Sequence, residues 1–539
     1  MDNIKIFKEA DDVRIELQSM IDGFGDEITS EDQFPKGTDF HGMVESVKIF
    51  KNAVSNNHKI KVICDSDMDG LGCYFLWYKF FTFLPHPNVE LIITDRKKGY
   101  GFVPEYVQDD VNLYITSDCG ITTSKETTDL IKQNNAKTII CDHHIPEDNL
   151  PDVDSIIDPY HPEDTTPFKE ISGTFVLWFF LKELISEYNL NVNPFREFIS
   201  ELAITTVSDV MPLNQPLNRF IVKTFIDTFD QQDKTYLNTF REQINSNPTS
   251  ETFAFSLIPM INATQRIAKA EFGAEFLLAE TKESSLEWFN YIKSLNDSRK
   301  EIQQTLMSYI EKYYKEYINK PFIVIPGKFQ KEYKGVLGII SGQLAQQHIK
   351  PCIVLNFNEN TNEYTGSGRS IGELNILDVL RDNKFVKNVG GHKAALGITI
   401  SGDKFDDFYS SLQEDIVKIP DSILKPKRHI FGEIPINNIH YDFYKVIHEY
   451  EPFGHKFKKP IFQTEGYIKT ARLVGKHRNH LAFSITDKNK RIVITGMQFF
   501  TKNIPNLGEK YQVIFTFDKD DYKGGESLKL FAQEFVSIP

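Results

Sequence analysis

Thr138-Ile139-Ile140-Cys141-Asp142-His143-His144 is a short β-branched run that stops abruptly in one carboxylate and two imidazoles. Acid and imidazole at a strand end are metal-ligand chemistry, set where open α/β sheets place their sites. Alone, the stretch also fits a strand leaving the core into a polar turn. Two further runs end the same way. Lys59-Ile-Lys-Val-Ile-Cys64 leads into Asp65-Ser66-Asp67-Met68-Asp69-Gly70, and Val111-Asn-Leu-Tyr-Ile-Thr116 leads into Ser117-Asp118-Cys119-Gly120. A fourth end, Ser208-Asp209-Val210-Met211-Pro212, closes an apolar helical stretch.

Around these ends the period of the apolar residues alternates between two and 3.6. Strands are expected at 59–64, 89–94, 111–116, 136–141 and 153–157. Helices are expected at 71–84, 123–133, 173–188 and 195–207. That order predicts parallel β-α-β units and a doubly wound sheet. In a parallel sheet all C-terminal strand ends lie on one edge, so the four clusters can converge. Asp65, Asp67 and Asp69 cannot all be buried without cations, since desolvation costs on the order of several kcal/mol each. An EF-hand loop fails here. Gly70 falls at its sixth position, but Leu76 stands at the twelfth where a glutamate is needed. Oxygen-rich ligands with few imidazoles suit Mn²⁺ or Mg²⁺, and two such ions can activate a water and clamp a phosphate. Cys64, Cys119 and Cys141 flank these acids, but strand alternation points them away into the core.

The chain has 539 residues, too many for one core, and 40% hydrophobic content with 13% aromatic is ample for burial. Five cysteines (64, 73, 119, 141 and 352) are no disulfide framework and fit a reducing, cytoplasmic setting. Met1-Asp-Asn-Ile-Lys lacks the apolar core of a signal peptide, and no run has the length of a membrane span. The net charge of −14 argues against nucleic acid binding over the whole surface. The charge is uneven, however: residues 425–539 are basic and the remainder is strongly acidic.

Residues 1–41 read as a polar, partly helical segment without assigned function. The catalytic α/β unit spans 42–280, and a highly charged helix at 281–318 connects it to a smaller α/β unit at 319–424. From 425 to 539 five short strand-like runs with Gly, Asn and Asp turns fit a small β-barrel, with an OB-fold first among candidates.

At the four clusters the chain resembles the DHH phosphoesterase superfamily, and within it the RecJ-type single-strand exonucleases. Asp65–Gly70, Asp118-Cys-Gly120, Asp142-His143-His144 and Ser208–Leu213 are similar to that family's four motifs. The resemblance implies that Asp67 and Asp69 bind separate cations and that Asp118 bridges them. His143 and Asp209 would complete one site and Asp65 the other. His144 would face the phosphate, with Asp142 in support. Lys98–Phe102 with Tyr100, Asn262-Ala263 with Arg266, Gly366–Ser370 with Arg369, and Gly390-Gly391-His392 resemble further stretches of the family. They imply substrate contacts at Tyr100, Arg266, Arg369, Ser370, Gly390, Gly391 and His392, in a DHHA1-like accessory domain and at its border. The departures are Tyr333-Lys334 where the family usually has Trp-His, and no sizeable segment after the β-domain.

The activity implied is hydrolysis of single-stranded DNA from the 5′ end with two Mn²⁺ or Mg²⁺ ions, in recombination, repair or replication. Partners implied are single-stranded DNA, with RNA left open, and a single-strand-binding protein or other repair factors; no membrane is expected. In the β-domain Arg472, Lys476, His477, Arg478 and Tyr467 are candidate strand contacts. Two other readings stay open: a DHH phosphodiesterase on short oligoribonucleotides or cyclic dinucleotides, and an inactive scaffold in a replication complex.

Overall fold

Residues 4–86, 88–146, 149–244, 248–425, 429–475, 478–520 and 527–538 are described by the computed structural model, without the side chain of His392. Five parallel strands form the first sheet: β1 (Ile60–Cys64), β2 (Val89–Ile93), β3 (Leu113–Ser117), β4 (Lys137–Cys141) and β5 (Ser155–Ile157), in the order β2-β1-β3-β4-β5. β1 and β3 are buried at every position. Helices cover both faces of such a sheet, so its inner strands read as continuous apolar runs.

The chain opens with α1 (Ala10–Asp22), and the helices around the sheet are α2 (Met43–Ser55), α3 (Met68–Phe83), α4 (Lys125–Gln133), α5 (Gly173–Glu187) and α6 (Pro194–Ser208). α3 begins three residues before the expected start. Asp67 caps it, accepting from the amides of Asp69 and Gly70, so the acidic motif itself forms the first turn. α3, α5 and α6 pack on one another. Their interface is aromatic, with Trp77, Phe80, Phe175, Trp178, Phe179 and Phe180 fully buried.

A 32-residue helix, Lys282–Tyr313, leaves this unit. At 1.5 Å per residue it is about 48 Å long. Phe289 and Ile292 belong to the catalytic core, whereas Leu306, Met307 and Ile310 pack into the next one. That second unit is a mixed sheet of β6 (Ile323–Gly327), β7 (Cys352–Asn358), β8 (Glu363–Arg369), β9 (Val386–His392) and β10 (Ala395–Ser401), in the order β6-β7-β8-β10-β9. Both glycine-rich motifs lie on strands here, β8 and β9, rather than in turns.

The third unit is a closed five-stranded barrel. β12 (Phe462–Val474), β13 (His480–Thr486), β14 (Val493–Gln498), β15 (Lys510–Lys519) and β16 (Leu528–Ser537) run in the order β12-β13-β14-β16-β15, and β12 pairs with β15 to close it. A short β11 (Gly432–Glu433) adds to β12. The N-terminal segment, to which the sequence reading gave no role, docks here. Ile6 bridges to Glu433, Phe7 packs on Phe431 and Phe462, and α1 lies on helix Tyr441–Glu449. The linker into the barrel is itself held by the catalytic unit: the Leu213 amide donates to the His455 carbonyl at 2.8 Å, and Arg219 Nη1 to that of Pro452 at 2.8 Å.

Candidate metal centre

The strand ends reach one edge through a staircase of backbone hydrogen bonds. The first residue past each strand donates its amide to the last residue of the neighbouring strand. Asp65 donates to Ser117 at 3.2 Å, Asp118 to Cys141 at 3.0 Å, and Asp142 to Ile157 at 3.0 Å. Each carboxylate is thereby turned inward at the same level. Asp118 holds a left-handed backbone with φ of 60°, and Gly120 follows at 116°.

The side chains meet around His143. Its Nδ1 donates to the Ile171 carbonyl at 2.8 Å. In the neutral ring that bond leaves Nε2 as a bare acceptor. Yet Nε2 faces Asp118 Oδ1 at 3.2 Å, Asp209 Oδ2 at 3.5 Å and Asp69 Oδ2 at 3.8 Å, and it is buried without a hydrogen-bond partner. Asp69 is gripped by the first amides of α5: Gly173 N donates to Oδ2 at 2.7 Å and Thr174 N to Oδ1 at 2.9 Å. Asp65 accepts from Thr94 Oγ1 at 2.8 Å and pairs with Arg96 Nη2 at 2.6 Å, which also lies 3.7 Å from Asp67. Donor atoms fall into overlapping groups, each within 4.8 Å: Asp69, His143 and Asp209; Asp65, Asp67 and Asp118; and Asp118 with Asp142, His143 and His144.

Electrostatics mark the cluster as unfinished. Burial pushes the carboxyls of Asp65 and Asp69 up, and raises that of Asp118 well above the ordinary range, with Asp69 and Asp67 adding repulsion. Asp209 is raised to about 7 by burial, despite His143. Against burial, which lowers it, Asp209 and Asp69 lift His143 to about 9. A divalent cation relieves every one of these strains, and oxygen-rich groups with one imidazole fit Mn²⁺ or Mg²⁺. The residues present fit two such ions. The flanking thiols do not compete. Burial raises Cys64, Cys119 and Cys141 well above their ordinary value, and all five cysteines are free and buried.

Asp142 is spent on neighbours. One oxygen accepts from the amides of His143 and His144 and from His144 Nδ1 at 2.7 Å; the other accepts from the Ile121 amide at 3.0 Å. Although burial raises Asp142, His144 holds it at about 2. In return Asp142 lifts His144 to about 9, against burial. His144 Nε2 meets the Tyr100 hydroxyl at 3.1 Å.

Beside this centre several guanidinium groups gather. Arg266, at the end of helix Ile258–Ile267, donates to the Gly335 carbonyl at 3.3 Å. Its side chain reaches solvent yet is closely surrounded by protein. Desolvation and the charges of Arg96, Arg299 and Arg369, opposed by Asp67, hold it down to about 10. Arg369 and Ser367 both face Gly338. Ser370, a sequence candidate, instead turns its hydroxyl to the Leu374 carbonyl. Gly390 opens to free space, and Gly391 adopts φ of 137° against Ala395. Arg472 and Arg478 are exposed on β12 and the hairpin after it, and Tyr467 is half-buried. Lys476, His477 and the side chain of His392 lie outside the described residues.

Three functional groups escaped the sequence reading, and a fourth, Asn262, was quoted there without a role. Arg96 follows β2 and was detectable by asking what every strand end carries, not only the acidic ones. Asp158 follows β5; it is fully buried, its Oδ2 has no partner, and burial with Asp142 raises it to about 8. Asn262 accepts from the Met68 amide at 2.8 Å, which ties the segment before the long helix to the acidic motif. Arg299 lies on the long helix with no motif around it.

Comparisons with known proteins agree with this geometry. Family models match in chain order: the DHH family N-terminal domain at 59–206, the DHHA1 domain at 319–418 and the RecJ OB domain at 430–534. The single-stranded-DNA-specific exonuclease RecJ of Haemophilus influenzae is 24% identical over 92% of this chain and 91% of its own length. That of Escherichia coli is 25% identical over 92% and 90%. Among solved structures, Thermus thermophilus RecJ in complex with Mn²⁺ superposes with a TM-score of 0.75 at 21% identity, covering 93% of this chain and 72% of that one. Three consecutive domain matches, with RecJ relatives aligned along nearly the whole chain, make this chain a RecJ-like member of the DHH phosphoesterase superfamily.

Proposed function

We propose that this chain is a metal-dependent exonuclease that hydrolyses phosphodiester bonds of single-stranded DNA, from the 5′ end, in recombination, repair or replication. The observation that carries the reading is His143 Nε2, buried without a hydrogen-bond partner and facing Asp69, Asp118 and Asp209. Asp69, His143 and Asp209 would hold one Mn²⁺ or Mg²⁺, and Asp65 with Asp67 the other, Asp118 being shared. When bound, the ions supply charge neutralisation at the phosphate and an activated water for in-line displacement.

The chain's own residues do the rest. Ile171 and Asp142 lock the two imidazoles in opposite roles. His143 presents a lone pair, whereas His144, charged beside Asp142, presents a proton to the phosphate oxygen or to the departing 3′ oxygen. Tyr100 steadies His144. Arg96, Arg266 and Arg369 clamp phosphate oxygens, and the open backbone at Gly390 admits the strand. Arg472, Lys476 and Arg478 hold the strand further along by phosphate contacts. Ser370, Gly391 and His392 support that path.

The domain division proposed is 1–41, 42–280, 281–318, 319–424 and 425–539. A cytoplasmic setting is proposed from the free, buried cysteines. Among the described residues no helix is long and apolar enough to cross a membrane. Handover of strands from a single-strand-binding protein or other repair factors belongs to the same reading.

The test is degradation of a long single strand labelled at either end in turn, as DNA and as RNA, beside a dinucleotide. Release of the 5′ label first, from DNA, with loss of all activity in Asp118→Ala, is the expected result. Activity on the dinucleotide alone would instead make this a short-oligonucleotide phosphodiesterase. Full turnover by Asp118→Ala would remove the assigned centre.

A further inference from the structure

Helix α6 ends on a metal-ligand candidate and then on a strained residue. Asp209 caps it, and Val210 follows with a left-handed φ of 56°. The Val210 amide donates to the Val207 carbonyl at 3.3 Å and the Met211 amide to that of Thr206 at 3.0 Å. This way of closing a helix ordinarily uses glycine, because a Cβ at the left-handed position crowds the following carbonyl. A branched Cβ crowds it further. No core packing offsets the strain, since Val210 is 60% exposed. Strain alone does not mark a site. Among the described residues one other β-branched side chain is held this way: Ile349, which closes helix Leu337–His348 in the accessory unit with φ of 52° and is also exposed. Place separates the two.

The metal centre opens to solvent at two of its carboxylates. Asp65, Asp69, Asp118 and His143 are buried, whereas the side chains of Asp67 and Asp209 are 35% and 34% exposed. A strand reaches the ions from that side, and Val210 directly follows Asp209 there. Ile145, 59% exposed, directly follows His144. The Tyr100 ring is exposed too; its hydroxyl meets His144 Nε2 at 3.1 Å, and the Arg96 guanidinium lies 5.0 Å from its centroid. Exposed apolar surface thus adjoins groups that face a phosphate. The side chains of Val210 and Ile145 have nothing to donate to a phosphate oxygen. Beside its phosphate, a nucleotide offers a sugar and a base with an apolar face.

We propose that Val210 is a substrate-binding residue: with Ile145 and the Tyr100 ring it forms an apolar lip that takes the base and sugar of the nucleotide whose phosphate lies at the ions. The inference rests on the nuclease reading above and adds to it a contact made by neither charge nor metal. Every base has such a face, so the lip holds any nucleotide at the centre and reads no sequence. Glycine at 210 would close α6 with less strain but would leave the nucleotide without that wall. Ile349 has the same strain without a neighbouring ligand, and serves as the internal control.

Val210→Gly, the conservative Val210→Ile and the control Ile349→Gly are compared with the wild-type full chain. Each is given a thymidine single strand of DNA and the same strand with the two terminal nucleotides at each end made abasic. Binding is read by fluorescence anisotropy without Mn²⁺, kcat and KM with Mn²⁺, and Tm by thermal unfolding. The wild type is expected to favour the base-bearing strand by about tenfold in Kd and KM. Val210→Gly should lower that preference to about twofold or less, with kcat on the abasic strand unchanged within about twofold. Val210→Ile and Ile349→Gly should keep the wild-type preference. Both glycine variants should raise Tm by roughly a degree or more as the strain is relieved. A wild-type preference retained in Val210→Gly would overturn the proposal. So would an equal loss on both strands, which a displaced Asp209 would give, and so would a lower Tm in Val210→Gly, which would make Val210 a packing residue. Base-dependent binding without hydrolysis would count against the nuclease reading alone, and hydrolysis without base dependence against this inference alone.

Discussion

Asp118 concentrates the trade between stability and function. Its carboxyl sits well above the ordinary range because burial and Asp69 oppose its charge. A folded-state value above the unfolded one means that folding is penalised once pH rises past the ordinary carboxylate value. Asp118→Asn should therefore stabilise the metal-free protein in urea unfolding at pH 7. It should also shrink the Tm gain from Mn²⁺ and cut turnover by roughly a thousandfold. Asp142 and His144 have the opposite sign. Asp142 near 2 contributes stability present above the ordinary carboxylate value and lost as pH falls through about 2. His144 near 9 contributes stability present below the ordinary imidazole value and lost as pH rises through about 9. Asp142→Asn removes the partner that lifts His144, so the alkaline limb of kcat/KM should move down by a pH unit or more. An unmoved limb would show that His144 does not carry the working proton.

Among the elements, the N-terminus of α5 has the tightest tolerances. Its first two amides hold Asp69, and a Cβ added at Gly173 would meet Asp118 Oδ1 at 2.6 Å and Asp118 Cβ at 2.7 Å. Alanine is the better helix former by about 1 kcal/mol, so Gly173→Ala threatens the centre and not the helix. The expected outcome is unchanged circular dichroism with at least about a tenfold loss of Mn²⁺-dependent turnover. Wild-type turnover would mean that Asp118 can shift without cost. The long helix Lys282–Tyr313 works at a different range. It joins two cores by apolar residues at its ends and carries Arg299 toward the guanidinium group near Arg266. It thus links the two units through one continuous helix.

Over the whole molecule, the barrel is anchored at three places: β11 with Ile6 and Phe7, α1 with helix Tyr441–Glu449, and the linker at Leu213 and Arg219. Deleting the barrel would strip the cover from Phe7 and Leu17 along with any strand contacts, so point changes are the cleaner probe. Arg472→Glu with Arg478→Glu should weaken binding of a long single strand and lower its salt slope by roughly 1.4, the value for two lost phosphate contacts. Dinucleotide cleavage should be untouched. An unchanged salt slope would show that this face of the barrel does not hold the strand. Phe7→Ala, at the first anchor, should cost about 3 kcal/mol in unfolding, since it removes a buried aromatic ring from Phe431 and Phe462.

Local chemistry made the sheet and its ligand-bearing ends legible from the amino-acid order alone. A buried parallel strand is a continuous apolar run, and the abrupt change to Asp or His marks where it ends. One-edge convergence then follows from the strands being parallel, whatever the loops between do. The glycine motifs were legible as sites of close approach but not as strands β8 and β9, because glycine carries no side chain from which an apolar period could be read. The resemblance divided the carboxylates between two cations, and three-dimensional packing decided that Asp69 groups with His143 and Asp209 and Asp67 with Asp65. It also brought Arg96 to Asp65, left Asp158 without a partner, and docked the N-terminal segment on the barrel. The clearest case is His143. Its tautomer is set by the carbonyl of Ile171, 28 residues away. Every residue has a carbonyl, so no pattern of side chains announces which one will be there; only the folded backbone decides it.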